Sequence, residues 1–486
     1  MDAYEAYYDE AYESPVEVGA EPTGSRIGFM TFSGLMLMWF LVLYASVRGG
    51  GLYLGAAFLG LCAVLMLLNP ANAVLVWILF FFSPDPGHSF AIPSIFKIIV
   101  LFSAVAFIMH GRLGSLGKYV NTLSICAFLF VCLISLLLLI SPNVQEALGI
   151  YGNYIDGLIT LFLLFGLLDS KEAVVRVLKW WAIVAAFSLI VSLVHIYFGG
   201  STHLARIWQA IAGGESEERI HVAVESGIAR RLVWPGIRPN GQSINLVFPL
   251  GAGLALFLSS SGRRKFFWGA VTFVVTVCLV GTFSRSGFLV MLAVGFVYVM
   301  MKNIKAIIPG TIFAALGIGV LVRTPELIER IFTIKRNILE TGGTGRFDLW
   351  AQAFRMWSTS PAFGHGLESY IGRYGMVTHN TYFQLLAETG IIGFALYSFM
   401  LFIVLKSLYG LHRRYNSVFG TNPESELLLG LMLGFFGVCL HLGTITYTHV
   451  MYLWWICGVC FLYWYYSSNE FYSYCSMIEE SDGQES

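Results

Sequence analysis

Long apolar segments separated by short polar turns make up most of the chain. A segment of about 18 or more apolar residues can form a helix that crosses roughly 30 Å of hydrocarbon. Such segments recur from residue 27 to residue 466, and the pattern predicts an all-α polytopic membrane protein with about 12–14 transmembrane helices. The predicted spans lie at about 27–47, 51–68, 71–83, 93–110, 120–141, 151–168, 174–198, 243–260, 265–283, 286–301, 305–322, 382–411, 426–443 and 447–466.

Polar segments divide the chain into a membrane domain and two tails. Residues 1–26 are acidic and rich in tyrosine, so we expect a disordered cytoplasmic tail there and no cleavable signal peptide. The membrane domain covers 27–466, and residues 467–486 are predicted to form a cytoplasmic C-terminal tail. Two long polar intervals, 199–242 and 323–381, interrupt the membrane domain and are predicted to be loops.

Composition supports the membrane assignment. Hydrophobic residues make up 57% of the chain and charged residues 12%, and the mean hydropathy is +0.72. These values exclude an ordinary soluble globular protein. The net charge is zero, so the overall charge indicates no partner, and no nucleic-acid partner is expected.

The placement of basic residues predicts the orientation. The short outer loops 84–92, 142–150 and 444–446 contain no Lys or Arg, if the N-terminus is cytoplasmic. The positive-inside rule then places the long loops 199–242 and 323–381 on the extracytoplasmic side. The inner loops contain Arg112, Lys118, Lys171, Arg176, Lys179, Arg263, Arg264, Lys265, Lys302, Lys305, Lys406, Arg413 and Arg414.

The two long loops contain arginine almost to the exclusion of lysine. They hold eleven arginines and one lysine, Lys335. A guanidinium group binds phosphate with two parallel hydrogen bonds and stays charged when it is partly buried. The skew therefore favours a site for a lipid-linked pyrophosphate. Pairing with the carboxylates of the same loops remains the alternative for any one arginine.

Arg285 lies where one predicted span ends and the next begins, within Gly281-Thr-Phe-Ser-Arg-Ser-Gly287. A charge at the outer membrane interface is costly unless it faces protein or ligand, so Arg285 is a candidate binding residue. Contact with lipid headgroups is the alternative. Lys97, near the outer end of the fourth span, could have either of these two roles. Arg238, in a Pro- and Gly-rich segment before the eighth span, is a further candidate.

His379 ends the second long loop and is the candidate general base. A histidine accepts a proton near neutral pH, and transfer to an alcohol needs a base within hydrogen-bond reach. A headgroup contact or a structural hydrogen bond is the alternative. Glu388 lies nine residues further on, about 13 Å along a helix, and is expected to pair with an arginine or a backbone group instead. His365, between two glycines, is a weaker candidate.

Several catalytic motifs do not occur in the sequence. There is no Asp-x-Asp, no His-Glu-x-x-His, no phosphate-binding Gly-x-x-x-x-Gly-Lys and no Gly-x-Ser-x-Gly. Their absence argues against a metal-dependent nucleotide-sugar transferase, a zinc protease, an ATPase and a serine hydrolase. His441 and His449 flank the last outer turn at a spacing that does not fit a metal site.

Four segments in order resemble the O-antigen ligase and polymerase family. They are Thr282-Phe-Ser-Arg285, Gly345-Arg-Phe-Asp-Leu-Trp350, Pro361-Ala-Phe-Gly-His-Gly366 and the segment from His379-Asn380 to Glu388-Thr-Gly-Ile-Ile-Gly393. The resemblance covers roughly 230–410. It implies a GT-C-like, multi-helix glycosyltransferase of the bacterial inner membrane. With the N-terminus cytoplasmic, as the basic residues predict, the two long loops are then periplasmic.

The resemblance also implies the substrates and the roles of residues. The donor is a glycan on undecaprenyl pyrophosphate. The acceptor, at the periplasmic face, is lipid A–core for a ligase or a second lipid-linked glycan for a polymerase, and no cofactor or metal is needed. His379 would activate the acceptor hydroxyl in an inverting transfer. The residues implied to bind the pyrophosphate are Arg285, Arg346 and Arg238, and those implied to support the site are Asn380, Glu388 and His365.

Two other functions stay open from the sequence. A transporter for a lipid-linked solute predicts ionisable residues near the middle of several spans, where this chain offers chiefly Asp156 and Lys97. A scaffold for polysaccharide assembly predicts that charges in the outer loops are dispensable. The charged residues are concentrated on one face of the membrane, and few lie inside the spans, so the pattern favours an enzyme over a transporter.

Overall fold

The computed structural model describes most of the predicted membrane domain. It describes residue 34 and residues 51–69, 72–81, 95–111, 120–198, 232, 239–302, 345–447 and 451–484. Throughout these residues the regular structure is helical, which confirms the all-α polytopic fold class. The helices are α1 Gly51–Leu68, α2 Asn72–Phe81, α3 Ile95–Met109, α4 Thr122–Leu137, α5 Val144–Leu167, α6 Lys171–Phe198, α7 Pro239–Ser259, α8 Gly262–Gly281, α9 Arg285–Lys302, α10 Arg346–Thr359, α11 Ser369–Tyr374, α12 Thr381–Phe419, α13 Pro423–Leu442 and α14 Met451–Gln484.

The apolar segments predicted to be spans form helices wherever the structure describes them. Among the described residues, 8 helices are long and apolar enough to cross a membrane: α4 with the turn that follows it, α5 to α9, α12 and α13. The predicted spans at 27–47 and 305–322 lie outside the described residues, apart from Gly34. The total of about 12–14 spans and the GT-C-like arrangement remain predictions.

Asparagine residues start several of these helices. Asn121, Asn143, Asn380 and Asn422 cap α4, α5, α12 and α13, and each side chain accepts a hydrogen bond from a backbone N–H of the first turn. Such a cap satisfies amide groups that have no partner within the helix. The polar turns in the sequence therefore fix where the apolar helices begin.

Among the described helices, α7 and α13 make the most extensive contact with each other. A Cβ on Gly251 would lie 2.2 Å from the Cα of Gly434, and one on Gly430 would lie 2.4 Å from the Cα of Ala255. Small residues allow membrane helices to approach to this distance. The contact brings the first turn of α7 and the last turn of α13 together at one end of the bundle.

Lys97 lies on α3 and faces α5. A Cβ on Gly152 would lie 3.0 Å from the Lys97 Nζ, and the charge of Lys97 acts on Asp156 one turn further along α5. The intramembrane charge of Lys97 therefore has an acidic neighbour, which is the usual arrangement for ionisable residues inside a membrane.

The last predicted span continues well beyond its expected end. Helix α14 runs from Met451 to Gln484 and so includes most of the segment predicted to be a C-terminal tail. Its first half is buried, and Trp455 packs edge-on against Trp181 of α6 and Trp77 of α2. Aromatic rings in this arrangement bury a large apolar area. Helix α14 is therefore part of the core of the bundle.

The described part of the second long loop folds into α10 and α11. Ala353 and Met356 of α10 pack with Tyr370 of α11 and Ala387 of α12 in a small separate cluster. The two short helices therefore lie against the first turns of α12, at the end of the bundle where α7 begins and α13 ends.

Candidate functional site

Arg285 and Arg346 each occupy the first position of a helix. Arg285 begins α9 and is exposed, and Arg346 begins α10 and is half-buried. Burial, and after it the like charge of Arg285, lower the pKa of Arg346, so the two guanidinium groups lie close enough to repel one another. The N-terminus of a helix adds a partial positive charge and free backbone amides. The two helix starts together form a site suited to an anion.

A group of hydroxyl side chains holds the turn that presents Arg285. Ser284 Oγ donates to Asn240 Oδ1 over 2.8 Å and accepts from the backbone N–H of Gly287 over 3.2 Å. Ser243 Oγ lies 3.1 Å from Ser284 Oγ. Phe283, inside the turn, has a φ of 52°. The segment Thr282-Phe-Ser-Arg285 is thus a tight turn between α8 and α9 that is bonded to the start of α7.

His379 lies in the turn that leads into α12. Its φ of 53° is in the left-handed region, which a residue with a β-carbon rarely adopts. Asn380 caps α12, and its Nδ2 donates to Gly443 O over 2.8 Å. Thr381 Oγ1 donates to Ile445 O over 2.7 Å. The turn after α13 therefore fixes the backbone around His379, and unusual backbone conformations of this kind are common at active sites.

Helix α10 lies along the turn that holds His379. Trp350 Nε1 donates to Thr378 O over 3.2 Å, and the Trp350 ring stacks on Phe383 with centroids 5.5 Å apart. Arg346 lies four residues before Trp350, on the same face of α10. The structure therefore brings Arg285, Arg346 and His379 to one end of the bundle, although three different turns supply them.

Glu388 and His365 hold the backbone of the loop. The Glu388 side chain is buried and accepts hydrogen bonds from Gln384 Nε2 and from the backbone amides of Glu368 and Tyr370. His365 Nε2 lies 2.8 Å from Met356 O. Glu388 therefore pairs with backbone groups, which was one of the two outcomes expected from the sequence.

The segment 361–366 fills a break in α12. At Gly390 the φ is 64°, so the helix is interrupted there. The amide of Ile391 bonds to Pro361 O over 2.8 Å, and Glu388 O accepts from the amide of Gly366 over 3.0 Å. A Cβ on Gly364 would lie 2.4 Å from the Glu388 carbonyl carbon. The glycines of this motif therefore allow two backbones to meet, and the segment satisfies amides that the break exposes.

His441 also belongs to this site, although the sequence did not mark it as a binding or catalytic candidate. It is fully buried in the last turn of α13, with its Nε2 2.7 Å from Ser243 Oγ and its Nδ1 3.0 Å from Thr444 Oγ1. Arg346 lies near enough to act on it electrostatically. The spacing between His441 and His449 excluded a metal site and gave no indication of this position. The sequence did offer one indication: His441 is a histidine at the end of an apolar span, on the same predicted side of the membrane as the other motifs.

The other arginines of the long loops are exposed or lie outside the described residues. Arg355 and Arg373 are exposed, and Arg373 lies over the ring of Tyr374 at 5.8 Å. Arg238 lies outside the residues that the structure describes. A role for Arg238 in binding therefore remains a prediction.

A known protein family matches the part of the sequence that contains these residues. A family model described as O-antigen ligase matches residues 269–398, from α8 to the first part of α12. The matched region contains Arg285, Arg346 and His379, and it confirms the family resemblance predicted from the motifs. No curated protein matches the chain. The match supports a ligase- or polymerase-type function for a multi-pass membrane protein.

Proposed function

Because residues 269–398 carry a domain of the O-antigen ligase family, we propose that the protein transfers a glycan from undecaprenyl pyrophosphate to an acceptor at the periplasmic face of a bacterial inner membrane. We propose the ligase reaction, with lipid A–core as the acceptor. The observation that carries this proposal is the approach of two helix-initial arginines, Arg285 and Arg346, beside the turn of His379.

The two arginines provide the binding site for the pyrophosphate. Placing two guanidinium groups close together is unfavourable unless an anion lies between them. A pyrophosphate carries that charge, and it gains one more negative charge when it leaves the sugar with the electron pair of the broken bond. Groups that are fixed in place before the reaction stabilise the negative charge that develops on the leaving group. Arg285 and Arg346 thus bind the donor and assist its departure.

His379 is the proposed general base. It accepts the proton of the acceptor hydroxyl while the hydroxyl oxygen attacks the anomeric carbon of the donor sugar. The bond between that carbon and the phosphate oxygen breaks, and undecaprenyl pyrophosphate leaves with the electron pair. The attack comes from the side opposite the leaving group, so the configuration at the anomeric carbon inverts. The fixed left-handed backbone of His379 and the cap at Asn380 hold the imidazole in place.

The same donor chemistry serves a polymerase, in which a second lipid-linked glycan is the acceptor. Purified protein incubated with a lipid-linked repeat, with and without lipid A–core, distinguishes the two reactions. We expect glycan on lipid A–core and no lengthening of the lipid-linked chains. Lengthened chains in both incubations would instead show a polymerase. If the donor remains unchanged in both incubations, the proposed function is wrong.

Replacement of His379 by Ala tests the general base. We expect the rate of transfer to fall roughly 10²- to 10⁴-fold, which is the usual contribution of a positioned base. The rate is measured on protein with an unchanged melting temperature. His110, an exposed histidine at the end of α3, supplies the control, and His110→Ala should keep the wild-type rate. Full activity of His379→Ala would exclude His379 as the base.

A further inference from the structure

His441 joins two parts of the site that come from different turns. On one side its Nε2 contacts Ser243 Oγ, and Ser243 contacts Ser284, the residue before Arg285. On the other side its Nδ1 contacts Thr444, which follows Gly443. Gly443 O accepts the hydrogen bond of the Asn380 side chain, next to His379. A path of four hydrogen-bond contacts, joined by residues adjacent in the chain, therefore links the proposed pyrophosphate site to the proposed base.

Each ring nitrogen of His441 has a hydroxyl neighbour, Ser243 Oγ at Nε2 and Thr444 Oγ1 at Nδ1. The Ser243 hydroxyl has one proton and two other acceptors, Asn240 O at 2.8 Å and Ser284 Oγ at 3.1 Å. The Ser284 proton is directed to Asn240 Oδ1. The Thr444 hydroxyl likewise has another acceptor, His441 O at 2.7 Å, so one ring nitrogen donates to its hydroxyl neighbour and the other accepts. A neutral imidazole satisfies both contacts and suits a buried position near the charge of Arg346.

We propose that His441 is a positioning residue that sets the separation of Arg285 and His379 without touching the substrate. The inference rests on the proposed function, and it concerns a residue outside the region 269–398 that the family model matches. A transfer reaction needs its base and its leaving-group site at the correct distance from each other. A displacement of either group by about 1 Å costs on the order of 10²-fold in rate. Binding of the charged pyrophosphate depends less on distance, because Coulomb attraction falls only gradually with separation.

Replacement of His441 by Phe keeps a buried ring and removes both hydrogen bonds. We expect kcat to fall about 10- to 100-fold and the KM for the lipid-linked donor to change less than about 3-fold. His441→Gln restores a hydrogen-bonding group near the position of Nε2 and should recover much of kcat. Ser243→Ala should reproduce the loss, and the double variant His441→Phe/Ser243→Ala should lose little more than either single variant, because both act on one contact.

His412 provides a matched control. It is also buried, its Nδ1 lies 2.7 Å from Ser425 O, and it lies near the opposite end of α12. His412→Phe should lower the melting temperature as His441→Phe does, and folded protein should keep the wild-type kcat. A general packing effect would lower kcat equally in the two variants, and this would overturn the proposal.

Three further results would also overturn the positioning role of His441. They are a wild-type kcat in His441→Phe, a rise in KM with no change in kcat, and a His441→Gln variant as slow as His441→Phe. Wild-type protein in the same assay separates this inference from the proposed function. If wild-type protein transfers no glycan, the proposed function fails and the role of His441 fails with it. If wild-type protein is active and His441→Phe is equally active, only the role of His441 fails.

Discussion

Single residues of the candidate site fall into two groups by what their side chains contact. Arg285 is exposed and Arg346 is half-buried beside it, so both can face a ligand. Glu388, His365 and Asn380 instead bond to backbone groups of the loop and its neighbours. Substitutions in the first group should change binding and rate. Substitutions in the second group should act first on folding, because they leave buried backbone groups without partners.

Replacement of Arg346 by Lys tests bidentate binding of the pyrophosphate. The variant keeps the charge and loses the planar fork, so we expect a fall of about 10-fold in kcat/KM. Arg346→Ala should lose roughly 10²- to 10³-fold. Arg355 is exposed on the same helix, and Arg355→Lys should match wild type in the transfer assay. Equal rates for wild type and Arg346→Lys would contradict a bidentate contact.

Glu368 predicts a pH dependence of stability. Burial, and after it the charge of Glu146, raise the pKa of Glu368 from 4.5 to about 7. The backbone amide of Glu368 also bonds to the buried Glu388 side chain. Between pH 4.5 and about pH 7, Glu368 holds its proton in the folded protein and loses it in the unfolded chain. The free energy of unfolding therefore falls as the pH rises through this range. Glu368→Gln removes this loss. Its melting temperature should exceed that of wild type at pH 8 and approach it near pH 5.

Thermal unfolding in detergent at the two pH values provides the measurement. Glu172 is exposed in the first turn of α6, and Glu172→Gln should shift the melting temperature little and equally at both pH values. A Glu368→Gln variant with the same shift at pH 5 and pH 8 would show that Glu368 titrates normally in the folded protein.

Among the helices, α12 combines a membrane span with a broken first section. The break at Gly390 frees amides and carbonyls, and the segment 361–366 bonds to them. The loop is thereby fixed to the helix that begins two residues after His379. The motif resembles a catalytic signature in the sequence, and within the described structure its glycines and His365 secure this junction.

Replacement of Gly364 by Ala tests the junction. Gly364 has a φ of 69°, and a Cβ there would lie 2.4 Å from the Glu388 carbonyl carbon. Gly375 has a similar φ of 71° and nothing within 4 Å of its Cβ position. Gly375→Ala should therefore show only the conformational cost, about 1 kcal/mol. Gly364→Ala adds a steric clash and should lose roughly 1–3 kcal/mol more. Equal melting temperatures of the two variants would contradict the close approach.

In the whole molecule, the site depends on the close packing of α7 and α13. These helices carry Ser243 and His441, and they meet through glycines in the middle of the bundle. The arrangement of the polar end is therefore set by glycine contacts about two helical turns away. The aromatic packing of α14 against α6 and α2 supports the same core from the other side.

Gly251→Ala tests this dependence. The added Cβ would lie 2.2 Å from the Cα of Gly434, so α7 and α13 must separate. We expect a loss of about 1–3 kcal/mol in stability, and a fall in kcat of the folded protein because Ser243 moves away from His441. Gly295, on α9, has nothing within 4 Å of its Cβ position, and Gly295→Ala should leave both quantities unchanged. A Gly251→Ala variant with wild-type kcat would show that the site does not depend on this contact.

The sequence by itself determined the class of the fold, and it identified candidate residues of the site by their chemistry. Span positions could be predicted because apolar length is a local property, and the asparagine caps are local as well. Arg285, Arg346 and His379 were identified by type and motif, and the family match includes all three. Still predicted are the roles of these three residues and of Arg238, the cytoplasmic N-terminus and the identity of the acceptor.

Tertiary structure decided which of these residues meet and which hold the backbone. Glu388 and His365 stood beside His379 as candidates in the sequence, and their bonds to backbone groups became visible only when 361–366 was placed against the break in α12. His441 joined the site only because α7 and α13 cross at Gly251 and Gly434. Hydrogen-bond partners far apart in the chain depend on how helices pack, and apolar periodicity does not specify that packing.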